Sequence, residues 1–306
     1  MLASGKTVLE KAHKSNYAVG SFNINNMEIV QAVIAAAEKQ RSPVILSTSE
    51  GALDYAGMDY LFSMAKLAAK KASVPVVINL DHGKDLDVIR QAIEIGYTSI
   101  MIDGSHFEFD KNIEITKKVV RMAHKEGIAV EGELGTIGGS EDKVSARQII
   151  YTDPDAAEEF VKKTGVDYLA IAIGTSHGAY KFEGAGRLDL ERLKTIKQRL
   201  NMPIVLHGAS GVPDWILKKA ELFGAKLPGA EGVSDEQIIQ AVKLGINKIN
   251  TDTDLRLSFT AAVRETVYTK PQEFDPRKIL GPARDLMQQV VEHRMQVFGS
   301  SGKANK

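Results

Sequence analysis

The sequence has no cysteine among its 306 residues, which excludes disulfides, thiolate catalysis and thiolate metal ligands. It also lacks a net charge, because 39 basic residues balance 39 acidic ones, and no block of five or more like charges occurs. This charge pattern gives no reason to expect a nucleic acid or an anionic membrane as a partner. We therefore expect neither.

Long hydrophobic runs are missing too. The longest apolar runs, such as PVVINL and YLAIAIG, have the length of a strand, far below the roughly 20 residues that a membrane-spanning helix needs. The first residues, MLASGKTVLEKAHKSNY, lack the continuous apolar core of a signal peptide. We therefore expect a cytoplasmic protein, which the missing cysteine also fits.

Short runs rich in Val and Ile recur along the chain, and each is followed by a longer amphipathic segment. The predicted strands cover residues 17–22, 43–47, 75–80, 99–103, 128–134, 168–173, 204–206 and 248–250. Their near-continuous hydrophobicity is typical of parallel strands that are buried on both faces. Apolar residues at three- and four-residue spacing predict the helices, at residues 27–40, 54–71, 85–95, 111–125, 156–164, 189–200, 214–223 and 235–244.

Eight strand–helix repeats in about 250 residues predict an α/β protein with a (β/α)8 TIM barrel. The structural alternative is a doubly wound open sheet, which usually carries a glycine-rich nucleotide-binding fingerprint after its first strand. The segment GSFNINN at the first predicted strand is not such a fingerprint, so we favour the barrel.

No linker or domain boundary interrupts this pattern, and we expect residues 1–306 to form a single domain. Two further predicted helices, residues 255–269 and 283–298, surround the loop KPQEFDPRKILGP. They form a C-terminal helical extension of the barrel from about residue 255. The last residues, SSGKANK, are expected to be disordered.

The reacting groups of this fold stand at the carboxyl ends of the strands. Six consecutive predicted strands end in side chains that titrate or bind metal ions. In chain order these are Asp81 and His82, Asp103, Glu131 and Glu133, His177, His207, and Asn250 with Asp252 and Asp254. Three imidazoles with an open position match a catalytic zinc site, and Glu133 could complete the ligand set. The alternative, three separate structural histidines, is less favoured because all three are in the barrel register.

Glycine-bearing loops follow the last three predicted strands. Backbone amides of Gly178, Gly208 and Ser210, with the hydroxyls of Ser210 and Thr253, could hold a phosphate, as barrels often do near strands seven and eight. The alternative is that these glycines only permit tight turns. The glycine-rich segment 135–146 has no packing pattern and predicts a mobile lid, whose Glu141 could enter the site on closure. A solvated loop acid is the alternative for that residue.

A metal site beside a phosphate site suggests chemistry next to the carbonyl group of a sugar phosphate. The metal would polarise the carbonyl and stabilise an enediolate, while carboxylates move protons. A lysine Schiff base is the alternative route to this carbanion, and Lys248 is the lysine near a predicted strand end. A non-catalytic sugar-phosphate or metal-binding barrel is the alternative of another class, but it would not require Asp81, Glu141 and Asn250 together.

Ordered motifs over nearly the whole chain carry a resemblance to a known family. They are SFNINN, SPVILSTSEGA, LDHG, SIMIDGSH, EGELGTIGG, GTSHGAYK, VLHGASGVP, INKINTDTDLR and DPRKILGPAR. In these motifs the sequence resembles the class II, zinc-dependent fructose-bisphosphate aldolases. The resemblance implies a lyase of glycolysis and gluconeogenesis that reversibly cleaves fructose 1,6-bisphosphate to dihydroxyacetone phosphate and glyceraldehyde 3-phosphate through a zinc-stabilised enediolate. Tagatose-bisphosphate aldolases share most motifs and are the alternative, although the TDTDLR string with Asp252 favours fructose.

The resemblance also implies roles for the strand-end residues. Zinc would be bound by His82, His177 and His207, with Glu133 as an alternative or nearby ligand. Asp103 would lie behind the ligands or at an alternative metal position. Cobalt or iron in place of zinc is the alternative for the metal. Family members often hold a monovalent cation near the phosphate loops.

The same resemblance implies the acids and bases and the substrate contacts. Asp81 would be the acid/base at the cleaved bond, Glu141 would exchange the proton of dihydroxyacetone phosphate, and Asn250 would help to hold the enediolate. The implied substrate-binding residues are Gly178, Lys181, Gly208, Ser210, Asp252 and Thr253, with Arg256, Asn23 and Ser49 towards the far phosphate. In such relatives the arginine that corresponds to Arg256 reaches the substrate of a neighbouring subunit. The resemblance therefore implies a homodimer as the minimal active unit, with a homotetramer as the alternative.

One departure from the family pattern stands before the expected acid/base. Relatives have a histidine two residues ahead of the aspartate, as HLDHG, whereas this chain has Asn79 in NLDHG. Asparagine can still hydrogen-bond a carboxylate or water, but it ligates zinc poorly. We therefore expect the main zinc site to be kept and a second metal position to be less well supported.

Overall fold

The computed structural model describes residues 1–141, 144–146, 149–178, 187–227 and 229–304, with side chains described outside residues 140–148. Eight parallel strands close into a barrel in the order β1-β11-β10-β8-β5-β4-β3-β2. They are β1 (Val19–Asn23), β2 (Val44–Ser49), β3 (Val76–Gly83), β4 (Ser99–Ile102), β5 (Ala129–Leu134), β8 (Tyr168–Ile171), β10 (Ile204–Leu206) and β11 (Ile246–Thr251). The predicted (β/α)8 barrel is confirmed.

The described helices surround this barrel. They are α1 (Gly5–Lys14), α2 (Met27–Gln40), α3 (Glu50–Ala56), α4 (Met58–Lys71), α5 (Leu86–Ile95), α6 (Phe109–Lys125), α7 (Pro154–Thr164), α8 (Leu190–Leu200), α9 (Asp214–Leu222), α10 (Asp235–Lys243), α11 (Thr253–Thr269) and α12 (Pro276–Val297). Helix α7 shows why they form where they do. Asp153 accepts hydrogen bonds from the main chain of its first turn, proline stands at its start, and Gly165 ends it in the left-handed conformation.

Helix α1, which the sequence pattern did not predict, covers the amino-terminal end of the barrel. Its Leu9 and Ala12 lie in one buried cluster with Tyr17, Val77 and Tyr168. Val77 and Tyr168 lie near the amino ends of β3 and β8, so the cluster fills the barrel at that end. Barrel enzymes generally carry their reacting groups at the opposite, carboxyl end.

Two predicted helix boundaries were wrong. The helix expected at residues 54–71 is two helices, α3 and α4, which are separated at Gly57 with φ of +84°. Helix α12 begins within the segment expected to be a loop, because Asp275 accepts a hydrogen bond from the main chain of Arg277 and Pro276 occupies the first helical position. A proline is tolerated there since no intrahelical partner exists for an N–H group.

The expected disorder of the last residues was wrong for the part that the structure describes. The main-chain N–H of Gly302 donates to the carbonyl of Gln40 at 2.8 Å, and that of Ala304 donates to Arg41 at 2.9 Å. The tail therefore continues the contact that α12 makes with α2. Among the described residues, no helix has both the length and the apolar character that crossing a membrane requires.

The glycine-rich segment after β5 is partly ordered by strand pairing. Strands β6 (Gly138–Glu141) and β7 (Val144–Ala146) pair antiparallel, and β6 also pairs parallel with β9 (Ser176–His177). Gly139 stands opposite His177 in that register. The expectation of an unpatterned loop was wrong for these residues, and mobility of the segment stays a prediction.

Candidate active site

Asp81 and His82 both point into the barrel because β3 contains one extra residue relative to β4. The register shifts between Leu80 and Gly83, where three steps along β3 match two steps along β4. His82 there adopts φ of +46°, a left-handed conformation that costs a non-glycine residue roughly 1–3 kcal/mol. Neighbouring side chains of a regular strand point to opposite faces, and this bulge brings both to the same side.

The histidines predicted as metal ligands lie close together. The ring centroids of His82 and His207 are 4.6 Å apart, those of His82 and His177 are 5.1 Å apart, and those of His177 and His207 are 6.3 Å apart. All three rings are buried. Nε2 of His82 lies 2.9 Å from Nδ1 of His207, so two ring nitrogens from opposite sides of the barrel meet. The structure thus brings these residues together, while their role as ligands stays a prediction.

Carboxylates on the far side of two rings fix the direction of these nitrogens. Nδ1 of His82 lies 3.1 Å from Oδ2 of Asp103, and Nε2 of His207 lies 2.7 Å from Oε1 of Glu131. When each ring donates its N–H to its carboxylate, the other nitrogen turns a lone pair towards the shared space, the arrangement that metal-binding histidines use. Ligand atoms of Asp81, His82 and His207 all lie within 4.8 Å of one another, a spacing that fits one metal ion.

The charges around the two rings explain how they approach so closely. Burial alone would lower the pKa of His82, but Asp81 and Asp103 offset this effect and raise it to about 10. Burial, and then the positive charge of His82, lower the pKa of His207 well below its ordinary value. A proton on Nε2 of His82 can therefore be donated to Nδ1 of His207. A divalent cation would replace that proton, so the donor set fits a metal.

Asp103 and Glu133 offer a second ligand set that shares His82. The ligand atoms of these three residues also lie within 4.8 Å of one another. Oε2 of Glu133 is buried without a hydrogen-bond partner among the described residues. Burial, and then repulsion from Asp103, raise the pKa of Glu133 to about 8. Burial opposes ionisation of Asp103 too, but the hydrogen bond from His82 keeps its pKa well below the ordinary value.

Asp81 is held between two asparagine side chains. Asn23 donates to its Oδ2 at 2.9 Å, and Asn250 donates to its Oδ1 at 2.8 Å. Burial works against its charge, but the nearby His82 and His207 lower the pKa of Asp81 below its ordinary value. The side chain is therefore an ionised carboxylate in fixed orientation, and Asn250 also lies 3.2 Å from Nδ1 of His207. This carboxylate can accept a proton from a substrate bound beside the histidines.

Four of the predicted phosphate-binding residues follow β10 and β11: Gly208, Ser210, Asp252 and Thr253. The main-chain N–H of Asp252 donates to Oγ of Ser210 at 3.3 Å, which joins the two loops. Gly208 has φ of +60°, and a Cβ atom there would lie only 2.8 Å from the main chain of Ser176. Thr253 is the first residue of α11, and helix amino termini favour anions. Gly178, next to His177, also has a positive φ, +77°.

Arg256 and Ser49, which were also predicted to bind substrate, make hydrogen bonds within the chain. Nε of Arg256 donates to Asp252 at 2.9 Å, so this side chain is turned back onto its own helix. Oγ of Ser49 accepts the N–H of Ala52 at 3.2 Å, and Ser49 is opposite Asp81 in the β2–β3 register. Lys181 and the side chain of Glu141 lie outside the described residues.

Glu131 was predicted only as a strand-end carboxylate, and Lys248 only as the lysine of the alternative Schiff-base route. The structure pairs the two. Nζ of Lys248 lies 2.6 Å from Oε2 of Glu131, and both side chains are almost completely inaccessible to solvent. Glu131 therefore connects Lys248 to His207. The sequence spacing could have indicated that Glu131 enters the site, because Glu131 and Glu133 are two residues apart and so share the inner face of β5. Lys248 and Asn250 share the inner face of β11 for the same reason.

Asn79, the departure noted in the sequence, lies deeper in the barrel. Its amide donates to Oγ of Ser47 at 3.1 Å, and its Oδ1 accepts from Oγ of Ser99 at 2.6 Å. Asn79 thus belongs to a polar layer below the histidines.

The closed barrel with titrating groups gathered at its carboxyl end defines a protein with the active-site layout of barrel enzymes. The family described as Fructose-bisphosphate aldolase class-II matches residues 3–303, and the chain belongs to this family. The predicted resemblance is confirmed. Membership identifies the chain as an aldolase, and therefore as a lyase.

Relatives and solved structures agree with this assignment. The fructose-bisphosphate aldolase of Thermus caldophilus is 49% identical over 306 residues, which are 99% of this chain and 100% of the relative. That of Helicobacter pylori is 45% identical with the same coverage, 99% and 100%. The crystal structure of the YdjI aldolase of Escherichia coli K12 has 34% identity and a TM-score of 0.81, and the match covers 100% of both chains.

Proposed function

We propose that this chain reversibly cleaves fructose 1,6-bisphosphate to dihydroxyacetone phosphate and glyceraldehyde 3-phosphate with the help of a bound zinc ion. The observation that carries the proposal is the approach of His82 and His207, whose facing ring nitrogens lie 2.9 Å apart. Asp103 and Glu131 each lie within hydrogen-bond distance of the other ring nitrogen and orient the two rings, as the hydrogen-bond partners of metal-bound histidines do. Membership of the aldolase family supports the reaction.

The metal would be held by His82, His177 and His207, and Glu133 with Asp103 offers an adjacent position. Without thiolates in the chain, imidazole and carboxylate donors remain, and they suit zinc as well as cobalt or iron. A divalent cation bound there would polarise the carbonyl group of the substrate and stabilise the negative charge that develops on its oxygen.

Asp81 is the base of the cleavage direction. It accepts the proton of the hydroxyl group on carbon four while the bond between carbons three and four breaks. The electron pair of that bond passes towards the ketone, and the aldehyde leaves. Asn23 and Asn250 hold the carboxylate in position through one hydrogen bond to each oxygen. Glu141 then returns a proton to carbon three, which completes dihydroxyacetone phosphate.

The phosphate of the dihydroxyacetone end would be bound by the loops that follow β9, β10 and β11. Gly178, Gly208, Ser210, Asp252 and Thr253 would surround the phosphate of the dihydroxyacetone end, together with Lys181. Backbone carbonyls of the same loops could hold a monovalent cation. The far phosphate would be bound by Arg256 of a second subunit after this side chain leaves Asp252. We infer a homodimer as the minimal active unit, in which residues 1–306 form one domain.

Coupled assays test the reaction and the metal together. Release of dihydroxyacetone phosphate is followed by its reduction, with and without a chelator. We expect activity to be lost on chelation and restored by zinc. The His207→Ala variant should lose both metal and activity, whereas His124→Ala, a half-exposed histidine on α6, should keep both. Activity that survives removal of the metal would contradict the proposal, and borohydride trapping of Lys248 would then test the lysine route.

The substrate is tested by comparison with tagatose 1,6-bisphosphate. We expect the larger kcat/KM for the fructose substrate. A larger value for the tagatose substrate would keep the metal mechanism and replace the substrate assignment. No cleavage of either sugar would favour a binding protein that has kept the barrel.

A further inference from the structure

A buried carboxylate holds the turn that follows Ser210. Oδ1 of Asp254 accepts the main-chain N–H of Val212 at 2.7 Å, and its Oδ2 accepts the N–H of Gly211 at 3.1 Å. Asp254 is completely inaccessible to solvent, and Val212 has a positive φ of +45°. Two hydrogen bonds to an ionised acceptor are strong enough to hold a turn in a conformation that valine rarely adopts.

Arg294 connects this carboxylate to the C-terminal extension. Its side chain extends from α12, is only 2% exposed, and places Nε 2.9 Å from Oδ2 of Asp254. Its Nη1 also donates to Oδ1 of Asp235 at 2.7 Å, at the start of α10. A buried carboxylate without a cationic partner would be strongly destabilising, so Asp254 depends on Arg294.

Direct packing ties the guanidinium to the turn as well. A Cβ atom on Gly211 would lie 1.7 Å from Nη2 of Arg294, and one on Gly232 would lie 2.1 Å from the main chain of Gly211. The main-chain N–H of Val233 donates to the carbonyl of Ser210 at 3.1 Å. Gly232 therefore has no room for a side chain against the main chain of the turn, and a side chain at position 211 would displace the guanidinium of Arg294.

We propose that Arg294 and Asp254 are positioning residues, which hold the 208–212 turn in the shape that binds the phosphate of the dihydroxyacetone end. This rests on the proposed function, which assigns Gly208 and Ser210 to that phosphate. The charges support an indirect role. Arg294 lies between two carboxylates, Asp254 and Asp235, so the cluster offers no excess positive charge to an anion and acts on it through the turn.

The test is the Asp254→Asn variant. Its amide nitrogen would replace one of the two carboxylate oxygens that accept the N–H groups of Gly211 and Val212, so one hydrogen bond to the turn is lost. We expect KM for fructose 1,6-bisphosphate to rise about tenfold, because a hydrogen bond to a charged group is lost, while kcat changes by less than about twofold. The inhibition constant of sn-glycerol 3-phosphate should rise by the same factor as KM.

Asp235→Asn is the matched control. It removes a charge from the other partner of Arg294 and leaves Asp254 on the turn. We expect a lower Tm with unchanged KM, which separates lost stability from lost positioning. Equal rises of KM in both variants, or no rise in Asp254→Asn, would overturn the proposal. Arg294→Lys keeps the charge beside Asp254 and should raise KM less than Asp254→Asn does, and a larger rise would also count against it.

Direct binding keeps this test separate from the proposed reaction. Calorimetry with sn-glycerol 3-phosphate reports on the turn even if the wild-type chain cleaves neither sugar bisphosphate. Weaker binding by Asp254→Asn, with wild-type binding by Asp235→Asn, would support the positioning role in that case. Absence of binding by the wild-type chain would overturn it.

Discussion

Glu131 bridges Lys248 and His207 inside the barrel, with one carboxylate oxygen 2.6 Å from Nζ of the lysine and the other 2.7 Å from Nε2 of the histidine. All three side chains are buried. The lysine balances the charge of the glutamate, and the glutamate in turn orients the imidazole. The lysine considered for a Schiff base thus forms an ion pair with the carboxylate that orients His207, the proposed metal ligand.

The Glu131→Gln variant should bind metal more weakly. Glutamine can offer one acceptor only, so it cannot serve both the N–H of His207 and the ammonium of Lys248. Loss of such a supporting carboxylate commonly lowers metal affinity by about 10–100-fold. Competition with a chelator measures the affinity, and activity should recover at high zinc. Glu292→Gln, which alters an ion pair with Lys39 far from the barrel interior, is the control and should bind metal normally.

Lys248→Met should destabilise the fold. It leaves the Glu131 carboxylate buried without its cation, a change that costs about 3–5 kcal/mol. Adding Glu131→Gln should recover part of the loss, because no uncompensated charge then remains. The free energy of unfolding in urea measures both variants. A double variant less stable than Lys248→Met would show that the charge is not the cause.

Stability should depend on pH through Lys197 of α8. Burial lowers the pKa of this lysine to about 8 from its ordinary 10.5. Between these values the unfolded chain binds more protons than the folded one, so the free energy of unfolding rises with pH. The cost of burying the charged lysine is therefore fully present below pH 8, and it disappears as the pH rises towards 10.5.

Urea unfolding across that range tests the prediction by comparison of variants. The advantage of the wild type over Lys197→Met should grow from pH 8 to pH 10.5. Lys194→Met, on the exposed face of the same helix, should show no such change in its difference from the wild type. Parallel pH profiles for the wild type and Lys197→Met would contradict the lowered pKa.

Restoring the family's histidine should not increase turnover. In Asn79→His the larger ring would disturb the hydrogen bonds with Ser47 and Ser99 in a fully buried layer. We expect kcat at saturating zinc to stay the same or fall, together with a lower Tm. A large gain in kcat would show that Asn79 limits catalysis and that the missing histidine has a role in the site.

The barrel was predictable because eight buried strands and their helices repeat the same hydrophobic pattern. The identity of the strand-end residues followed from that register, as Asp103 after β4 and His207 after β10 show, whereas His177 lies in β9 outside the barrel sheet. The bulge at His82 was not predictable, since a one-residue shift between β3 and β4 leaves no mark in the hydrophobic pattern. The contact between Arg294 and Asp254 was not predictable from the sequence either, because only tertiary packing brings these two residues together.

The extra residue in β3 places two different chemical tasks on adjacent residues. Asp81, the proposed proton acceptor, and His82, the proposed ligand, are separated by a single peptide bond, and both face the substrate space. A rigid planar linkage of this kind prevents the two groups from drifting apart during turnover. It also means that any movement of the strand end shifts proton transfer and carbonyl activation together, so the two cannot be tuned independently by changes in the surrounding barrel.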